Sequence, residues 1–170
     1  MKRIILFTVL CLAANLLLAQ KKINVTNLLK ELGSLKDQYN KSFEQSKFKD
    51  TLVLLYLPAS GGHNFLDVYK NFKSKSFTVP TQIAGGFKNV MNVLPLMVKK
   101  SHLKDAMIGN FGKEFHSILL DWDNALMKTL SIKGFSIIKI SIKNKKLIQL
   151  QDFGDKKEDF FKAVDPLFKD

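Results

Sequence analysis

A loop after an apolar run carries the residues best suited to chemistry in the first half of the chain. It lies in 57-LPASGGHNF-65, where Ser60, His63 and Asn64 supply a hydroxyl, an imidazole and an amide. A hydroxyl beside an imidazole can act as nucleophile and base, but the G-x-S-x-G turn that exposes such a serine is absent. His63 stays a candidate base or ligand, because histidine titrates near neutral pH. The loop is therefore a candidate site for binding or for non-thiol catalysis through His63.

A pair of acids after a second apolar run offers a different chemistry. The stretch 118-ILLDWDNAL-126 resembles the first motif of haloacid-dehalogenase-type phosphatases, an apolar strand followed by Asp-x-Asp-Gly-Thr. The resemblance implies Asp121 as nucleophile and Asp123 as general acid, with Mg²⁺ holding the phosphate. Ala125 departs from the Thr or Val of that motif. We therefore expect strand-end acids, with Asp123 or Asn124 as the cap of a helix, and keep the metal-dependent hydrolase as the alternative.

The histidines and the charge limit the classes of ligand. His63, His102 and His116 show no spacing typical of a metal site, so neither a metal nor a cofactor is expected. The chain has 27 basic residues against 15 acidic ones, yet Arg3 is its only arginine. Nucleic-acid readers favour the bidentate fork of arginine, so nucleic acid is not an expected partner. The charge predicts only weak attraction to anionic membrane surfaces.

The first residues have the pattern of a secretory signal peptide. Lys2 and Arg3 precede an apolar run, Ile4–Leu18, that is shorter than the roughly 20 residues of a spanning helix. Cleavage near Ala19 would make residues 1–19 a signal peptide and direct the protein to the periplasm or outside the cell. Cys11, the only cysteine, would be removed with it.

The elements around the loop follow from apolar spacing. Leucines at three- and four-residue steps predict a helix from Asn24 to Lys49, with Thr26 or Asn27 as its cap. The continuous apolar run 51-TLVLLYL-57 predicts a strand buried on both faces. A helical face follows at residues 65–72. The loop thus joins a buried strand to a helix.

The middle of the chain continues the alternation. Residues 76–86 predict a short strand interrupted by Pro80, and residues 87–104 predict a helix. A strand at 116–122 and a helix at 125–130 come next.

The last part of the chain predicts a hairpin and a closing helix. Residues 134-GFSIIKISI-142 alternate as in a strand with one solvent-facing side, 143-KNKK-146 forms a turn, and 147-LIQLQDF-153 returns. Residues 155–168 predict an amphipathic helix. The complete order indicates an α/β fold whose sheet is mixed, parallel first and antiparallel at the hairpin.

This order resembles the thioredoxin-like, or redoxin, superfamily. In its members a strand ends in an acid, a short helix follows, and a Gly-x-Pro strand precedes a hairpin, a glycine and a terminal helix. Here those parts correspond to 117-SILLDWDNALMKTLSIKGFSIIKISIKNKKLIQLQDFGDKKEDFFKAV-164. The stretch 51-TLVLLYLPASGGHNFLDVYKNF-72 is similar to the family's "vlvnFWASWCxxC" segment. The resemblance implies a three-layer thioredoxin-like sandwich over residues 50–170, preceded by a helical segment at 20–49.

The departures from the family pattern bear on activity. When Ala59 and Ser60 are aligned with the family's Ala-Ser, its two cysteine positions fall on Gly62 and Phe65. Its cis-proline position falls at or near Ser136. Thiol–disulfide exchange and peroxide reduction both proceed through a cysteine thiolate, so neither activity is expected.

The resemblance also implies where a ligand would bind. The family's substrate groove lies between its active loop and the turn before the late hairpin, and a strand edge there could accept an extended peptide. We therefore expect a non-catalytic module that binds an unidentified protein or peptide. Its candidate residues are Ser60, Gly61, Gly62, His63, Asn64, Phe65, Phe135 and Ser136.

Overall fold

A computed structural model describes residues 23–59, 68–72, 75–87, 104–105, 107–108 and 116–169. The helices are α1 Val25–Ser34, α2 Ala125–Leu130 and α3 Lys157–Val164, and the strands are β1 Thr51–Pro58, β2 Thr81–Gly86, β3 Ile118–Asp121, β4 Phe135–Ser141 and β5 Lys146–Gly154. Short 3₁₀ helices occupy Gln45–Lys47 and Asp165–Leu167. The predicted signal peptide and most of the predicted helix at 87–104 lie outside these ranges. Within them no helix is long and apolar enough to cross a bilayer.

The strands of the described residues form one mixed sheet in the order β3-β2-β1-β4-β5. β1, β2 and β3 run parallel, whereas β4 runs antiparallel to β1 and β5 antiparallel to β4. The predicted mixed α/β sheet is therefore confirmed, and the strands that carry the two halves of the candidate site, β1 and β4, are neighbours. The carboxyl ends of the parallel strands and the start of β4 lie at one end of the sheet, and the β4–β5 turn lies at the other.

The central strand β1 is buried on both faces, as its continuous apolar run predicts. Its side chains alternate between two cores. Val53, Leu55 and Leu57 pack on one face with Phe72 and α3, where Phe160 is fully buried.

The second face of the sheet is covered by α1 and α2. Leu52, Leu54 and Tyr56 of β1 point into this core, together with the leucines of both helices. Leu28 and Leu32 of α1 are completely buried, and each such side chain contributes about 1.5–3 kcal/mol of transfer free energy. The segment before β1 is thus held against the sheet.

The predicted helix from Asn24 to Lys49 is wrong in its length, because α1 ends at Ser34. Its cap is Asn24, whose side chain accepts a hydrogen bond from the Asn27 amide at 3.1 Å, rather than Thr26 or Asn27. Beyond the helix, the Asp37 carboxylate accepts hydrogen bonds from the amides of Tyr39 at 2.9 Å and Lys41 at 2.8 Å. Such side-chain bonds to the backbone compete with helix formation, so the helical segment at 20–49 extends over only part of its range.

Two strand predictions need correction. β2 begins at Thr81, directly after Pro80, because proline has no amide hydrogen for the ladder. The side of β4 that carries Lys139 is exposed only from that residue onward, since Phe135 and Ile137 on the same side are buried. The closing helix is also shorter than 155–168: α3 stops at Val164 and a 3₁₀ turn containing proline follows.

Candidate functional site

The candidate loop itself lies outside the described residues, but both of its flanks are fixed in the core. Ser60, Gly61, Gly62, His63, Asn64 and Phe65 are therefore sequence-based candidates only. On one side, the amide of Ala59 donates to the carbonyl of Gly86 at 2.8 Å, and Ala59 is buried. On the other, Val68 and Tyr69 are buried in the same core. The chain thus leaves and re-enters the core beside β1.

The turn that precedes β4 lies next to this departure point. Tyr56 pairs with Ser136, and theirs is the last pair of the β1–β4 ladder. β1 continues beyond it to Pro58, and β4 begins one residue earlier at Phe135. The two strands therefore part at the end of the sheet from which the candidate loop departs.

Phe135 and Ser136 have buried side chains. Phe135 is 7% exposed, and its ring packs on that of Phe160 with centroids 5.3 Å apart. The Ser136 hydroxyl is fully buried, within hydrogen-bond distance of the Gly134 carbonyl at 3.0 Å and the Asp152 carboxylate at 3.2 Å. These residues can therefore offer a ligand only their main chain.

Asp152 on β5 fixes the shape of this turn. Besides Ser136, its carboxylate accepts hydrogen bonds from the amides of Lys133 at 2.8 Å and Gly154 at 3.0 Å. Gly134 approaches Gly154 so closely that a Cβ on Gly134 would lie 1.9 Å from the Gly154 carbonyl oxygen. Asp152 was not among the residues predicted from the sequence. It could have been found, because it lies on the strand that the predicted hairpin pairs with Ser136.

A buried polar pair lies at the same end of the sheet. The Tyr56 hydroxyl donates to the Asp121 carboxylate at 3.2 Å, and both residues are at most 1% exposed. The hydroxyl passes over Gly86, where a Cβ would lie 2.0 Å from it. Burial, and then the neighbouring Asp121, raise the pKa of Tyr56, so that its hydroxyl keeps its proton.

Asp121 acts as the cap of α2, a role the sequence assigned to Asp123 or Asn124. Its carboxylate accepts hydrogen bonds from the amides of Ala125 at 2.7 Å and Leu126 at 3.0 Å. Asn124 occupies the cap position in the backbone but makes no capping side-chain bond. Burial raises the pKa of Asp121, and the amide and Tyr56 hydrogen bonds oppose that rise.

This environment favours a structural role for the acid pair. Both oxygens of Asp121 are engaged inside the core, so a phosphoryl group cannot reach it without breaking those bonds. Asp123 is exposed at the surface. In the described ranges, no three His, Cys, Asp or Glu side chains come together as a metal centre would require.

His116 lies at the opposite end of β3 from Asp121. Its carbonyl accepts hydrogen bonds from the Gln38 amide at 3.0 Å and from the Tyr69 hydroxyl, and its ring packs on Phe77 with centroids 5.0 Å apart. These contacts fix the residues that lead into β3. His63 and His102 lie outside the described residues.

Of the comparisons with known proteins, only that with solved structures found matches. No protein-family model matches the chain, and no curated protein matches it. Among solved structures, the exposed lipoprotein thioredoxin Etrx1 of Streptococcus pneumoniae is 14% identical, with a TM-score of 0.50 over 78% of this chain and 97% of its own. The N-terminal domain of PilB from Neisseria gonorrhoeae is 10% identical, with a TM-score of 0.52 over 72% and 81%.

The chain therefore has a thioredoxin-like fold. Its single cysteine, Cys11, cannot form a CxxC pair within the sequence. A CxxC motif is thus not evident in this thioredoxin-like fold.

Proposed function

We propose that this protein is an exported binding module, which holds an extended peptide beside the Gly134–Ser136 turn and carries out no thiol–disulfide exchange. The supporting observation is the end of the ladder at Tyr56 and Ser136, where β1 and β4 both continue but no longer pair. Each residue of such a segment has a backbone acceptor, and each except Pro58 also has a donor, so an extended peptide can pair with this segment in the manner of a strand.

The burial of the local side chains is consistent with main-chain recognition. Phe135 and Ser136 face the core, so specificity would come from the neighbouring loop, in which His63 is the residue best able to contact a ligand. Asp152 keeps the turn in one conformation before a ligand arrives. A turn organised in advance loses less conformational entropy on binding.

The proposal is tested by selecting peptides from a displayed random library and locating them by amide chemical shifts in the ¹⁵N-labelled protein. Binding is expected to shift the amides of Ala59 and Phe135 most strongly, and His63→Ala is expected to weaken it. Lys145→Ala, at the opposite end of the sheet, is the control and should bind like the wild type. Shifts centred away from the 134–136 turn, or no enrichment of any sequence, would overturn the proposal.

Export is a separate part of the proposal and rests on the N-terminal pattern. Mass spectrometry of the protein from the periplasmic or secreted fraction is expected to give a chain beginning at or near Gln20. A protein confined to the cytoplasm with Met1 or Lys2 as its first residue would contradict export and leave the fold and the binding site untouched.

A further inference from the structure

We infer that the β4–β5 hairpin is a docking surface for an anionic lipid bilayer. The basic hairpin comprises four lysines and one exposed isoleucine, namely Lys139, Lys143, Lys145, Lys146 and Ile148. All four lysines are exposed, and Ile148 is 52% exposed, more than any other large apolar side chain among the described residues. The proposed peptide site lies at the other end of the sheet and needs neither the exposed lysines nor the exposed Ile148.

The lysines of the basic hairpin form no ion pair within the described part of the chain, and the acid placed beside the hairpin is Asp50, whose carbonyl accepts from the Ile142 amide at 2.9 Å. No acid occurs between Gly134 and Gln151 in the sequence. The ion pairs of the described residues join Lys47 to Glu44 and Lys75 to Asp165, and neither includes a hairpin lysine. A compact group of uncompensated lysines attracts an anionic surface, and each lysine near such a surface contributes roughly fivefold to binding.

The backbone at the hairpin favours a surface over a peptide strand as its partner. The register of β5 shifts between Lys139 and Ile140 of its neighbour, which places a bulge at the level of Ile148. A second shift occurs between Phe135 and Ser136. Bulges twist an edge strand and oppose pairing with another strand. An exposed apolar side chain on a lysine-rich hairpin instead suits the boundary between headgroups and acyl chains.

Docking through the hairpin would leave the peptide site accessible. β1 spans the sheet from the hairpin end to the candidate site in eight residues, which corresponds to roughly 25 Å. A molecule seated on a bilayer by its hairpin would therefore hold the Gly134–Ser136 turn away from the lipid. This arrangement would present the site to partners in the aqueous phase.

The test is sedimentation of the purified protein with vesicles of equal parts phosphatidylglycerol and phosphatidylethanolamine, and with vesicles of phosphatidylcholine alone. The hairpin variant Lys143→Gln/Lys145→Gln/Lys146→Gln is expected to lose on the order of 100-fold in affinity for the anionic vesicles. All variants share the wild-type N-terminus, verified by mass, so its contribution cancels in the ratio. Ile148→Ser is expected to weaken binding further without changing its salt dependence.

A matched control removes three lysines that lie outside the hairpin, one on each of the helices α1, α2 and α3. Lys30→Gln/Lys128→Gln/Lys162→Gln changes the net charge equally, and we expect it to keep most of the affinity. An equal loss in this control would overturn the docking surface in favour of general charge attraction. Equal binding to both kinds of vesicle by the wild type would overturn it as well. Tight binding of soluble polyglutamate, if Ile148→Ser leaves it unchanged, would also overturn the docking surface, since the partner would then be an acidic chain.

Discussion

The hydroxyl of Tyr56 donates a 3.2 Å hydrogen bond to the carboxylate of Asp121, which joins the central strand to the far edge strand across the end of the sheet. The bond passes over Gly86 of the intervening strand. It fixes the three parallel strands at the end where the candidate site lies, and it ties the cap of α2 to the same point.

Removing this hydroxyl is expected to destabilise the protein without opening a large cavity. Tyr56→Phe should lower the free energy of unfolding by about 1–2 kcal/mol, because a buried carboxylate loses a donor. In a double-mutant cycle with Asp121→Asn, the coupling should lie between about 0.5 and 3 kcal/mol. Urea denaturation of the four proteins measures it. Additive effects would show that the two side chains do not interact.

Gly86 is expected to tolerate no side chain while Tyr56 is present. Gly86→Ala would place a Cβ 2.0 Å from the Tyr56 hydroxyl and should cost about 1–3 kcal/mol. Tyr56→Phe should relieve part of that cost. Gly33→Ala is the control, since nothing lies within 4 Å of its added Cβ, and it should stabilise α1 by about 0.5–1 kcal/mol. A Gly86→Ala protein as stable as the wild type would refute the close approach.

The raised pKa of Asp121 predicts a specific pH dependence of stability. In the folded protein this group holds its proton to higher pH than in the unfolded chain, whose Asp titrates near pH 3.9. The folded state therefore binds more protons just above that pH, and this group makes stability fall as pH rises through the folded pKa. Unfolding by urea at a series of pH values should show a shallower fall for Asp121→Asn. Parallel curves for the two proteins would contradict the shift.

Asp152 is expected to support peptide binding by holding the turn before β4. Asp152→Ala removes the acceptor for the amides of Lys133 and Gly154 and for the Ser136 hydroxyl, and should cost about 1 kcal/mol of stability. Affinity for a selected peptide should fall while the fold persists, as measured by titration calorimetry and circular dichroism. Asp155→Ala, an exposed neighbour, should change neither.

Much of the sheet could be predicted because its signals are local. β1 is a continuous apolar run, and the late hairpin combines alternation with a polar turn, so period and turn chemistry agree. The helix from Asn24 was predicted too long because Leu35 and Tyr39 continue the helical spacing by coincidence. The competing signal was Asp37, whose carboxylate binds the backbone ahead of it.

The hydrogen bond between Tyr56 and Asp121 could not be predicted, because the two residues are far apart in sequence. Tyr56 lies within an apolar run and reads as a core aromatic, and its partner follows 65 residues later. Asp121 was recognised as a strand-end acid, but which of the neighbouring polar residues caps α2 depends on backbone direction. The requirement for glycine at position 86 could not be predicted either, because it arises only from the position of the Tyr56 hydroxyl.

The central claim is that the loop after β1 occupies the position of the redox loop of thioredoxin-like proteins, although this loop contains no cysteines. The most direct test restores them with Gly62→Cys/Phe65→Cys in a Cys11→Ser background and measures reduction of insulin disulfides with dithiothreitol as the electron source. A control pair, Ser60→Cys/His63→Cys, has the same spacing in a shifted register. We predict that the first pair forms a reducible disulfide and accelerates insulin reduction above the rate with dithiothreitol alone, and that the control does not. Equal activity of the two pairs, or none in the first, would contradict the account.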